Sequence, residues 1–115
     1  MFKFKNNTFY VTRGDGGKIT FSYKDGSNLP NTDFIFRVYE KNGFDSAPLI
    51  NESAPTNGET SVTLELFSEH TSLGSIENEI VEYWYEMKLG PENTILGFDE
   101  SGAKIFYLYP SGKDN

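Results

Sequence analysis

The stretch Ile80 to Leu89 constrains the rest of the chain more than any other. Its side chains sort into two sets by period two, the repeat of a β-strand. Val81, Tyr83, Tyr85, Met87 and Leu89 form an apolar or aromatic set. Glu82, Glu86 and Lys88 fall in the other, with Trp84, the single tryptophan, among them. Three ionised groups on one side and none on the other predict a strand with one buried face. Ten residues are long for a strand, so it is expected to cross the whole domain.

Its neighbours follow from turn chemistry. Gly90-Pro91-Glu92-Asn93 is a four-residue turn that sets Leu89 opposite Thr94, Met87 opposite Leu96 and Tyr85 opposite Phe98. That register puts Leu96 and Phe98 on the core face with Tyr85 and Met87. Glu100-Ser101-Gly102 then reads as a three-residue hairpin loop. It predicts Asp99 opposite Ala103, Leu96 opposite Phe106 and Thr94 opposite Leu108, a three-stranded meander.

The rest of the chain repeats the pattern. Phe2 and Phe4 alternate with Lys3 and Lys5 as in an edge strand or arm. Short strands are expected over Thr8 to Thr12, Lys18 to Tyr23, Phe34 to Val38, Leu49 to Ser53 and Ser61 to Phe67. Between them lie turns at Arg13 to Gly17 and Asp25 to Asn28, and a loop over Gly43 to Pro48. Ser68 to Thr71 predicts a single helical turn before Gly74. Seven or eight short strands at near-regular spacing define an all-β fold, an antiparallel immunoglobulin-like β-sandwich in one domain over residues 1–110. Residues 111–115 are expected to form a flexible tail or linker stub.

Composition excludes several functions. A net charge of −7 opposes nucleic acid, whose phosphates need a basic surface, and anionic membranes. With no cysteine there is no disulfide framework, thiolate nucleophile or cysteine-held metal. The N-terminus lacks the continuous apolar region of a signal peptide and no run approaches transmembrane length, so the chain is expected to be made in the cytoplasm and to stay soluble. No cofactor is expected. The one histidine, His70, does not make a zinc site unless carboxylates complete it. Glu82 and Glu86 lie about 13 Å apart along their strand, too far for a glycosidase pair, and read as solvated surface charges. Arg13-Gly14-Asp15 spells an integrin-type tripeptide, but in a turn, where glycine and aspartate are common anyway. No nucleophile–base pair or metal cluster can be assembled, so an enzyme is the least favoured reading.

Tyr10-Val11-Thr12-Arg13-Gly14-Asp15 leading into a strand resembles the start of small tail and baseplate domains of phages infecting Gram-positive bacteria. Tyr83 to Met87, Thr94 to Asp99 and Phe106 to Pro110 are similar to the end of such domains. The family named by this resemblance is the N-terminal domain of the siphophage upper baseplate protein. It implies an all-β module of the virion that docks onto other tail or baseplate proteins or onto itself, with no catalytic residues to carry over. Such domains head longer chains, whereas this sequence ends at Asn115. The alternative is a carbohydrate-binding sandwich whose exposed aromatics stack on sugar rings.

Either role points to the wet face of the meander. There Trp84, Ile95, Ile105, Tyr107 and Tyr109 are expected to point away from the core, with Gly97 leaving a flat gap opposite Glu86. Large apolar groups on a face that should be wet are the informative anomaly. Two coverings compete: a partner, with Trp84 and Tyr107 as anchors, or the chain's own Phe2 and Phe4 or Gly43–Pro48 loop.

Overall fold

A computed structural model describes residues 1–41, 44–74 and 78–111. Gly43 of the expected loop, and the expected tail beyond Ser111, lie outside the described residues. Strands hold 51% of the described residues and helix 4%, so the fold is all-β.

In chain order the elements are β1 (Phe2–Lys5), β2 (Thr8–Thr12), β3 (Gly17–Ser22), β4 (Asp33–Tyr39), β5 (Ile50–Pro55), β6 (Ser61–Leu66), α1 (Ser68–Thr71), β7 (Val81–Leu89), β8 (Thr94–Leu96) and β9 (Lys104–Tyr109). The larger sheet runs β1-β2-β9-β7-β4-β5 and curls, with β8 also on β7; β3 and β6 form the second sheet. Immunoglobulin-like sandwiches set strands G-F-C-C′ against B-E. Here β9-β7-β4-β5 set against β3-β6 have that order. One ladder departs from the antiparallel expectation: β2 runs parallel to β9, from Phe9 opposite Phe106 to Thr12 opposite Tyr109.

The core follows from alternation. Val62, Leu64 and Leu66 of β6 are buried while the residues between them are exposed. Phe34, Phe36 and Val38 of β4 meet Leu89, Met87 and Tyr85 of β7 across the ladder. Phe9 lies edge-on to Tyr85 and Phe36, with centroids 4.9 and 5.3 Å away, the geometry that aromatic quadrupoles favour. The Tyr85 hydroxyl escapes an unpaired burial by donating to the Asn7 carbonyl at 2.7 Å.

The expected meander is corrected. Met87 does face Leu96, but a register shift puts Lys88, not Leu89, opposite Thr94. After Leu96 the chain leaves the ladder. Gly97 is buried where a Cβ would press to 3.1 Å from Thr94, and Asp99 closes a turn on Gly102 rather than Ala103. The chain then rejoins the same edge of β7, with Lys104 opposite Tyr85 and Phe106 opposite Tyr83. Thus β8 and β9 lie in line on one edge and not side by side, and Leu96 never meets Phe106. Two consequences reach the site. Phe98, expected in the core, is 62% exposed. Ile95, expected on the wet face, packs with Leu96 against the core, because the shift in so short a strand breaks its alternation.

Candidate functional site

The outer face of the larger sheet is fixed by cross-strand pairing, since directly opposite residues share a face. Trp84 on β7 stands between Tyr39 on β4 and Ile105 on β9. In the next row Glu82 faces Tyr107, which faces Tyr10 on β2; beyond it Tyr109 faces Thr12. Four of the five expected site residues, Trp84, Ile105, Tyr107 and Tyr109, are therefore brought together, all half-buried. Ile95 is not among them.

The face gains aromatics that alternation does not reveal. Phe44, from the loop after β4, lies 4.8 Å from Tyr39 and 5.5 Å from Trp84 between ring centroids. Phe98 comes over from the other side, 5.7 Å from Trp84 and 6.4 Å from Phe44. Tyr10 stacks on Tyr107 with 28° between planes. The chain's own loop thus covers part of this face, as one of the two expectations had it. Phe2 and Phe4 do not; they lie on the core side against Phe9. Gly97 does sit by Glu86, where an added Cβ would stand 3.6 Å from the Glu86 Cβ, but it is buried and leaves no open gap.

Polar groups around the rings are paired. The Tyr39 hydroxyl donates to Glu86 Oε2 at 2.6 Å, and an Arg37 terminal nitrogen lies 3.7 Å from the same oxygen. Arg37 Nε donates to Asn51 Oδ1 at 3.0 Å. Lys41 Nζ lies 2.9 Å from Glu82 Oε1. Burial, then the Glu86 carboxylate, push the Tyr39 phenol up to about 12. Burial first and Glu82 second raise Tyr107 as well, and Glu82 raises Lys41. Glu86, expected as a solvated charge, has a side chain only 15% exposed. Its carboxylate is held in place by a tyrosine and an arginine, which explains how an acid sits among rings. His70 is tied into the fold: its Nδ1 accepts from the Phe67 amide at 2.9 Å, and Nε2 lies 3.3 Å from Glu52. Asp15 binds the Met1 amino group. Among the described residues no group of three or more acidic or histidine side chains is placed to hold a metal.

Chemically this is a surface of ring area framed by hydrogen-bonded charges. The fold and this face define an all-β sandwich with an aromatic outer sheet surface. No known protein family matches the sequence, and no curated protein matches it significantly. No helix among the described residues is long and apolar enough to cross a membrane.

Proposed function

We propose that this chain is a non-enzymatic assembly module of a phage or prophage tail or baseplate, docking onto other virion proteins through the outer face of the larger sheet. The observation that carries the reading is the cluster of Trp84, Phe44 and Phe98, with Phe98 62% exposed on a face whose charged groups Glu82, Glu86, Arg37 and Lys41 are paired. Aromatic rings in such a setting bury large area on contact at low entropic cost, and Trp and Tyr dominate binding hot spots. The resemblance of the strand and turn motifs to baseplate domains supplies the virion setting.

A carbohydrate-binding role is the second reading. It needs open, coplanar rings, whereas Trp84 has Phe44 and Phe98 against it and Tyr10 and Tyr107 stack on one another.

Tail genes cluster, so co-expression with the products of adjacent genes tests the proposal. The wild-type chain is expected to retain one of them on an affinity column. Trp84→Ala and Phe98→Ala are expected to lose it by at least about tenfold while melting near wild type, as truncated hot spots do. A wild type that retains none, or variants that retain it unchanged, would refute the docking role. Because Trp84 is the single tryptophan, its emission also reports oligosaccharide binding directly.

A further inference from the structure

β3 is bonded along one edge. Its ladder with β6 runs without a break from Gly17 opposite Leu66 to Ser22 opposite Ser61. Among the described residues, 17–22 make no other backbone–backbone hydrogen bond. In an immunoglobulin-like sandwich the first strand occupies the free edge, in the order A-B-E-D. Here Asn6 and Asn7, at φ 53° and 59°, turn β1 back onto β2, so that position is empty.

Against the empty edge lies a cleft of about 450 Å³. Lys18, Ile19, Thr20 and Phe21 all line it. Successive side chains of a strand point to opposite faces, so four in a row border one space only along the backbone edge. The facing wall is apolar, made by Phe2, Phe4, Phe9, Ile95 and Leu96. Proteins guard open edges with lysines, prolines or bulges. β1 carries Lys3 and Lys5 and β5 ends in Pro55, but β3 has one lysine, no proline and no bulge.

We propose that a second copy of the chain fills this edge, its β3 pairing antiparallel with the first about a two-fold axis at Thr20. The sequence of β3 is self-complementary in that register. Thr20 faces Thr20, Lys18 faces Ser22, and Ile19 faces Phe21 of the second copy. Directly opposite residues share a face, so each copy places Ile19 and Phe21 over the cleft of the other. Thr20 and Lys18 stay outside, and Lys18 already neighbours Glu65 on β6. The neighbouring registers are poorer: an axis at Ile19 leaves Phe21 opposite Gly17, which offers no side chain to pair with, and axes at Lys18 or at Phe21 set Lys18 against Lys18 or Lys24. The result is one four-stranded sheet, β6-β3-β3-β6, in place of two marginal two-stranded ones. The association is isologous and closed.

The chain has no cysteine, so a single introduced one reports proximity cleanly. In Thr20→Cys the paired Cα atoms stand about 4.5–5.5 Å apart, within disulfide reach. In Thr63→Cys, one strand further out on each side, they are roughly 14 Å apart. Oxidation is expected to crosslink Thr20→Cys into dimers and to leave Thr63→Cys as single chains. In light scattering across a concentration series the wild type is expected to reach twice the chain mass. Thr20→Lys and Thr20→Asp, at an exposed position, are each expected to fold and remain single, and their equimolar mixture to regain the doubled mass. Trp84→Ala, on the other sheet, is expected to leave the dimer intact, which separates this result from the fate of the docking face. A wild type that stays single at every concentration overturns the proposal and leaves the edge to a strand from a different protein. Thr20→Lys doubling like wild type, or Thr63→Cys crosslinking as fast as Thr20→Cys, overturns it too.

Discussion

Lys104 shows how one side chain holds a detour in place. It is buried, and its ammonium reaches both Asp99 oxygens at 3.0 Å and the Ser101 hydroxyl at 2.9 Å. Hydrogen bonds from Ser101 first and Lys104 next hold the Asp99 carboxyl down to about 2. A carboxyl whose native value lies below its unfolded one stabilises the fold above the unfolded value, and that contribution is lost as pH falls through the native one. Asp99→Asn is therefore expected to melt below wild type at about pH 5, with the gap closing by about pH 2. Melts at both pH values check this; a gap that persists in acid would mean the charge is not the cause. In the core the argument is volume. Phe36 is fully buried and Leu64 nearly so. Phe36→Ala and Leu64→Ala are expected to cost about 2–5 kcal/mol each in denaturant titrations, since surrounding side chains relax only partly into the void.

At the scale of the element, the turn at Asn6 and Asn7 closes the β1–β2 hairpin between Lys5 and Thr8. A two-residue loop with both residues at positive φ matches the twist of its strands, and asparagine tolerates that conformation better than residues with a plain Cβ. Asn7→Ala is expected to lower stability by about 1 kcal/mol in thermal melts. Asn7→Gly is expected to be neutral or better. Alternation identified β6 and β7 and their inward faces because one side of each strand is drier than the other; in β4 it found the inward Phe34, Phe36 and Val38 although Ile35 and Tyr39 on the other side are buried too. It could not reveal that β9 binds β2 as well as β7, since that pairing joins residues nearly a hundred positions apart. Without it, a turn at Asp99 reads as a hairpin between neighbours when it is an excursion from one edge. The site was legible to the same degree. Trp84, Ile105, Tyr107 and Tyr109 stand out as apolar residues on the wrong phase. Phe44 sits in a loop with no phase to violate, and Phe98 falls on the core phase only in a hairpin register that the chain does not adopt. A run of polar residues interrupted by a lone phenylalanine was the only signal for Phe44.

For the whole molecule, the parallel ladder between β2 and β9 has a mechanical consequence. A pull at the two ends of the chain first peels β1 from β2, because in a hairpin the bonds open one after another. The load then reaches the start of β2 and the end of β9, neighbours that run in the same direction. Drawn apart from opposite ends, they slide rather than unzip, so the rungs from Phe9–Phe106 to Thr12–Tyr109 bear the force together. Stretching single molecules is expected to give a small early event followed by one dominant rupture. Val11→Pro, which removes a backbone donor from this ladder, is expected to lower that rupture force. Traction that met no such peak would mean the clasp does not carry load. A clasp of this kind lets a small domain transmit tension along its length while both sheet faces stay closed over the core.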